Sequence, residues 1–182
     1  DFEVIVILDE KDQPLTPRDR LRVLKKEGNP GLRSAIMQGI KYAQGKYIMK
    51  IDAHCMFGHG FDTVLSAECE DNWVVIPRRY SLEPKDWSIR QHRPTIDYEY
   101  FQFPYIEELR ATRVGGKWHE RAIERREYLI DDDMAFQGSC WFTTKQHLLD
   151  IDGFQFDVTG SEFVLESEEL SNKTWLSGGR CV

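Results

Sequence analysis

Apolar runs and helical stripes alternate along the first eighty residues. Phe2-Glu3-Val4-Ile5-Val6-Ile7-Leu8 is nearly unbroken apolar sequence, the pattern of a strand covered on both faces. It ends in the acidic turn Asp9-Glu10-Lys11-Asp12, and Pro14 and Pro17 mark a loop. Leu21-Arg22-Val23-Leu24 reads as a second strand, and Gly28-Asn29-Pro30-Gly31 breaks the chain. A helix is predicted over 32–44, because Leu32, Ile36, Ile40 and Ala43 recur at helical spacing, with Gly45 as its stop. Residues 46–51 form the next strand. Gly58-His59-Gly60 is a turn before a helix over 61–70, and Trp73–Pro77 is another buried strand. This alternation predicts a layered α/β domain with a mostly parallel sheet.

Residues 80–130 follow a different pattern. Trp87, Tyr98, Tyr100, Phe101, Phe103, Tyr105 and Trp118 are mixed with charges, without clear periodicity. The segment is expected to be a long excursion, partly hairpin, over the carboxyl ends of the strands. Strand character returns over 134–142. A helix follows over 145–151, then a turn at Asp152-Gly153-Phe154 and a last helix over 166–176, stopped by Gly178-Gly179.

Composition narrows the class. A chain of 182 residues suits one domain with a sizeable core, and 12% aromatic residues argue against disorder. No apolar run approaches the length of a membrane span. A net charge of −7 disfavours bulk binding to nucleic acid or anionic lipid. Arg78-Arg79 and the arginines at 121, 125 and 126 read as solvated faces. The four cysteines form no Cys-x-x-Cys pair, which suits reduced thiols and a cytoplasmic setting.

The candidate chemistry begins where the strand at 46–51 ends. Asp52 and His54 are two positions apart, so in extended backbone both side chains point the same way and can reach one ion. A carboxylate oxygen with an imidazole nitrogen suits Mn²⁺ better than Ca²⁺. The spacing alone also suits a turn-capping Asp and a surface His.

Five segments in order carry a resemblance. They are Leu8-Asp9-Glu10-Lys11-Asp12; Asn29-Pro30-Gly31 leading to Ala43-Gln44-Gly45-Lys46-Tyr47-Ile48; Ile51-Asp52-Ala53-His54; Gly138-Ser139-Cys140-Trp141-Phe142 before Ile151-Asp152-Gly153-Phe154; and Glu166-Ser167-Glu168-Glu169-Leu170-Ser171 with Thr174-Trp175-Leu176-Ser177-Gly178-Gly179. Together they resemble the family 2-like glycosyltransferases of the GT-A fold, most of all the polypeptide N-acetylgalactosaminyltransferase branch. The resemblance implies a three-layer α/β/α sandwich with a mostly parallel central sheet. It implies a single domain over 1–182, with the aromatic-rich insert at about 80–130. The family's usual first strand is missing and the C-terminus stops early, so the chain is expected to be a fragment.

The implied activity is transfer of a sugar from a UDP-sugar donor to an acceptor hydroxyl on a saccharide, a protein or a modified nucleobase. The donor would lie over the carboxyl ends of the strands. Asp9 matches the acid that contacts uracil, and Asp12, Arg33, Asp52 and Gly138 complete the expected donor-binding set. Asp52 and His54 would hold Mn²⁺ or Mg²⁺, a Lewis acid for the departing diphosphate. Glu166 is the first candidate for the base at the acceptor and Glu168 the second. Ser167 stands where many inverting members carry Asp. On an ideal helix Glu169 shares the Glu166 face and Glu168 points largely away. Likeness to the N-acetylgalactosaminyltransferase branch suggests retention of configuration, whereas Glu166 as base suits inversion. The alternatives are a metal-dependent nucleotidyltransferase and a non-catalytic nucleotide-sugar-binding module.

Overall fold

The computed structural model describes residues 1–8, 14–27, 31–106, 111–154 and 166–182, with side chains described except at 102–106 and 111–115. Strand β1 (Val4–Leu8) pairs in parallel with β2 (Leu21–Lys25), Val4 opposite Leu21 and Leu8 opposite Lys25. Helix α1 (Leu32–Tyr42) packs on β1 and leads to β3 (Tyr47–Ile51). Helix α2 (Phe61–Glu68) and β4 (Trp73–Val75) follow. The chain then makes the hairpin β5 (Glu99–Ile106) and β6 (Ala111–Lys117), and helix α3 (His119–Glu124). It re-enters the core as β7 (Cys140–Thr144), α4 (Lys145–Asp150), α5 (Glu166–Leu176) and β8 (Arg180–Cys181).

The central sheet has the order β3-β7-β4-β8. Strand β7 is antiparallel to β3 and β4, and β4 is parallel to β8, so β3, β4 and β8 run one way and β7 the other. The reversal follows from the insert. The chain comes back from the carboxyl ends of the strands, so its next strand must run down the sheet. The period-two pattern then sorts side chains onto two faces. Ile48, Val74, Trp141 and Cys181 join Ile36, Met37 and Ile40 of α1, Leu148 of α4 and Leu170 of α5 in the larger core. Tyr47, Met49, Trp73, Val75, Phe142 and Val182 face Leu65 of α2 and Cys69 in the smaller one. Helices on both sides of the sheet give the expected three layers, but two of the three ladders are antiparallel, so the sheet is mixed rather than mostly parallel.

Two details differ from the sequence reading. Strand β7 begins only at Cys140, and residues 137–139 are turn and loop, not strand. Strand β8 and helix α3 were not anticipated, being two and six residues long and lacking a hydrophobic period of their own. The predicted turn at 152–154 is present, with positive φ at Asp152 (58°) and Gly153 (46°). Among the described residues, no helix is long and apolar enough to cross a membrane.

The insert is tied to the core by backbone pairing and by a cation. Isolated bridges join Arg79 to Ile96 and Glu99 to Ala135, and the Trp118 amide donates to the Tyr98 carbonyl at 2.9 Å. The Arg121 guanidinium lies 4.9 Å from the Tyr98 ring centre and 5.3 Å from that of Trp118, and donates to Asp131 at 2.9 Å. Arg121 is therefore a packing residue of the insert, not the solvated charge that the sequence suggested; Arg126 is exposed as expected.

Candidate active site

The site is built around the end of β3. Lys50 Nζ lies 2.6 Å from Asp52 Oδ1 and also donates to the Gly138 carbonyl. The Asp52 amide donates to the Ser139 carbonyl at 2.9 Å. Asp52 Oδ2 faces His54 Nε2 at 3.8 Å, and the His54 side chain is 81% exposed. Strand geometry stops at Ile51, so it is the following turn that holds the carboxylate and the imidazole side by side.

Residues Gln137-Gly138-Ser139 form a crosspiece leading into β7. Lys50 and Asp52 hold its backbone from one side. Arg79 holds its side chains from the other, donating to Gln137 Oε1 and, at 3.4 Å, to Ser139 Oγ. The second guanidinium nitrogen of Arg79 donates to Glu99 Oε1 at 3.2 Å. Gly138 lies under the carboxylate of Glu166, and a Cβ at this position would strike Glu166 Oε1 and come within 3.0 Å of its Cδ. The glycine thus makes room for a side chain of the protein.

Four carboxylates meet here with few cations. Asp133 is buried; its Oδ1 accepts the Glu99 amide at 3.1 Å. Burial and, secondarily, the nearby Glu99 charge push the Asp133 carboxyl up to about 7, against the pull of backbone N–H donors and Arg79. Burial also raises Glu99, partly offset by Arg79. Glu168 is raised mainly by burial, with the charges of Glu166 and Glu99 adding to it. Glu166 itself is buried at the start of α5.

Residues 1–133 match the family model for glycosyl transferase family 2, well over half of the chain. The chain belongs to glycosyl transferase family 2. The fold is shared with a solved structure described as the crystal structure of GalNAc-T7 with UDP, GalNAc and Mn²⁺. The TM-score is 0.62 and the identity 16%, over 98% of this chain and 35% of that one. The chain thus spans about a third of the length of that structure. No curated protein sequence matches it. The likeness establishes the GT-A fold.

Within this family 2 domain the expected site residues separate into groups. Asp52, His54, Gly138, Glu166 and Glu168 are brought together around the crosspiece. Of these, Gly138, Glu166 and Glu168 lie beyond the segment that matches the family model, so they stand on geometry. Arg33 is placed elsewhere, in an α1–α5 ion pair with Glu169 at 3.5 Å. Asp9 and Asp12 lie outside the described residues. The helical-wheel expectation for α5 reverses: Glu169 turns to Arg33 and to Lys173 at 3.0 Å, while Glu168 feels Glu166 and Glu99. Arg33 comes from α1 and the Glu99 charge from the insert, surroundings that the wheel of an isolated helix does not contain.

Arg79, Glu99 and Asp133 escaped the sequence reading. Arg79 looked like half of a solvated basic pair, yet its side chain is only 15% exposed. Asp133 carried a signal, since it is the last of three acids directly before a buried apolar stretch.

The donor chemistry of Asp52 and His54 fits a borderline divalent ion. Lys50 occupies Oδ1, and Oδ2 is the oxygen turned toward the imidazole. Among the described residues there is no group of three or more His, Cys, Asp or Glu suited to a metal. The pair fits two positions of such an ion.

Proposed function

We propose that this domain transfers a sugar from a UDP-sugar donor to an acceptor hydroxyl, with Mn²⁺ or Mg²⁺ held by Asp52 and His54. The observation that carries the reading is the crosspiece 137–139. It joins the Asp52/His54 pair on one side to the buried Glu166 carboxylate on the other, within a GT-A fold of family 2. The ion would supply positive charge to the departing diphosphate. Lys50 orients the Asp52 carboxylate and screens it from Glu166 and Glu168. Glu166, fixed over Gly138, accepts the proton of the acceptor hydroxyl, and Glu168 is the second candidate for that role. Asp9 and Asp12 are assigned to the nucleoside. Arg33 supports the site indirectly, by holding Glu169 and thereby the start of α5.

The acceptor is a hydroxyl of a saccharide, a protein or a modified nucleobase, and the net charge of −7 argues against recognition through a nucleic-acid backbone. The free cysteines suit a cytoplasmic setting. The family match favours glycosyl transfer over nucleotidyl transfer. The test is calorimetric titration of UDP into the full chain with and without Mn²⁺, for wild type and Asp52→Ala. Metal-dependent binding, weakened in the variant by at least the roughly 10-fold that an outer-shell substitution already costs, supports the reading. Binding indifferent to both the metal and Asp52 refutes the metal assignment.

A further inference from the structure

We infer that Arg79 is the positioning residue of this site. Its guanidinium, anchored by Glu99 of the insert, sets the crosspiece 137–139 and through it the separation of Asp52 from Glu166. The assignment rests on the glycosyl-transfer reading for its kinetic consequence and on geometry alone for its structural one.

Each link is a directed contact. Arg79 donates from one nitrogen to both Gln137 Oε1 and Ser139 Oγ, and from the other to Glu99 Oε1. Ser139 in turn gives its carbonyl to the Asp52 amide, and Gly138 gives its carbonyl to Lys50, the partner of Asp52 Oδ1. The other face of Gly138 meets the Glu166 carboxylate. A change in the height of the crosspiece therefore moves both halves of the site relative to each other. Glu99 is itself fixed. Its amide donates to Asp133 Oδ1, and its carbonyl accepts from Ala135 at 3.3 Å. The Arg79 carbonyl accepts from the Ile96 amide at 3.2 Å, so the root of the insert is clamped at the same residue.

The planar fork of arginine is what this geometry uses. One cation serves two acceptors on the crosspiece and a carboxylate behind it, and a point-charge ammonium cannot reproduce that directionality.

The experiment uses the full chain and four variants: Arg79→Gln, Arg79→Lys, Gln137→Ala, and the double variant Arg79→Gln/Glu99→Gln. The double variant removes both charges, so no buried carboxylate is left without a partner if the single variant does not fold. Two readouts are taken. The first is hydrogen exchange at the Asp52 amide, with the Lys145 amide, bonded to the Lys46 carbonyl at the opposite end of the β3–β7 ladder, as the control. We expect exchange at Asp52 to accelerate at least about tenfold in the arginine variants, with the control unchanged, as local opening requires. The second is Mn²⁺-dependent hydrolysis of UDP-N-acetylgalactosamine and UDP-glucose. We expect kcat to fall roughly 100-fold, the scale of a displacement of about 1 Å, while UDP affinity changes less than about threefold. Arg79→Lys should not restore kcat, because it keeps charge without the fork. Unchanged protection at Asp52, or rescue by lysine, overturns the assignment; so does a loss of kcat no greater than the loss of UDP affinity. Absence of hydrolysis by the wild type would count against the glycosyl-transfer reading, and the exchange readout would still decide the positioning role.

Discussion

Asp133→Asn should make this protein more stable at alkaline pH and leave it nearly unchanged at acid pH. Asp133 is 4% exposed, and its carboxyl titrates at about 7 in the fold against an ordinary value of 3.8. The folded state therefore binds a proton that the unfolded chain releases between about pH 4 and 7. The contribution of Asp133 to stability is fully present below the unfolded value. It declines as pH rises through about 7 and is flat above that. At about 1.4 kcal/mol per unit, the displacement corresponds to a penalty on the order of 4 kcal/mol at pH 8. Asparagine is neutral throughout and keeps an oxygen to accept the Glu99 amide. Its new N–H₂ donors need partners, which takes back about 1–2 kcal/mol. The net expectation at pH 8 is a gain of roughly 2 kcal/mol, shrinking to zero or a slight loss near pH 5. Urea unfolding at pH 5, 6.5 and 8 measures this, with the m-value as a check that the denatured state is unchanged. A difference that does not vary with pH would refute the reasoning, because only a titrating buried carboxylate produces the slope. Glu99 and Arg79 are the charged groups facing Asp133. An intermediate slope would mean that Glu99 takes up part of the titration.

Further outcomes follow from the same contacts. Gly138→Ala drives a methyl group into the Glu166 carboxylate. It should lower kcat for UDP-sugar hydrolysis about 100-fold with UDP affinity retained; wild-type kcat in a folded variant would remove Glu166 from the reaction. Thr144 caps α4, accepting the His147 amide at 3.0 Å, and donates to the Asp71 carbonyl at 2.7 Å. Thr144→Ala should cost about 2–3 kcal/mol, seen as a fall in Tm of roughly 5–10 °C, without effect on UDP binding. A shift below about 1 °C would show that water replaces both bonds.

The sequence by itself determined the layered architecture and the position of every helix but α3. Each of these rests on local regularity. The stripe at Leu32, Ile36 and Ile40 defines α1, and the Glu166–Leu176 helix lies where capping acids and the glycine stop put it; Asp52 and His54 were legible as a pair, but the turn after Ile51 is what holds them side by side. The tertiary structure decided the rest. The antiparallel direction of β7 depends on where the insert delivers the chain, which no periodicity within 140–144 encodes. Arg79 and Asp133 are polar residues held by Glu99, which lies 20 positions from the first and 34 from the second. Glu168 is buried within reach of the Glu166 and Glu99 charges, while Glu169 pairs with Arg33 of α1, surroundings that the periodicity of α5 does not encode. Hydrophobic periodicity is a property of neighbouring residues. The charge, burial and hydrogen bonding that make a site are properties of residues brought together from distant parts of the chain, and only the folded structure contains them.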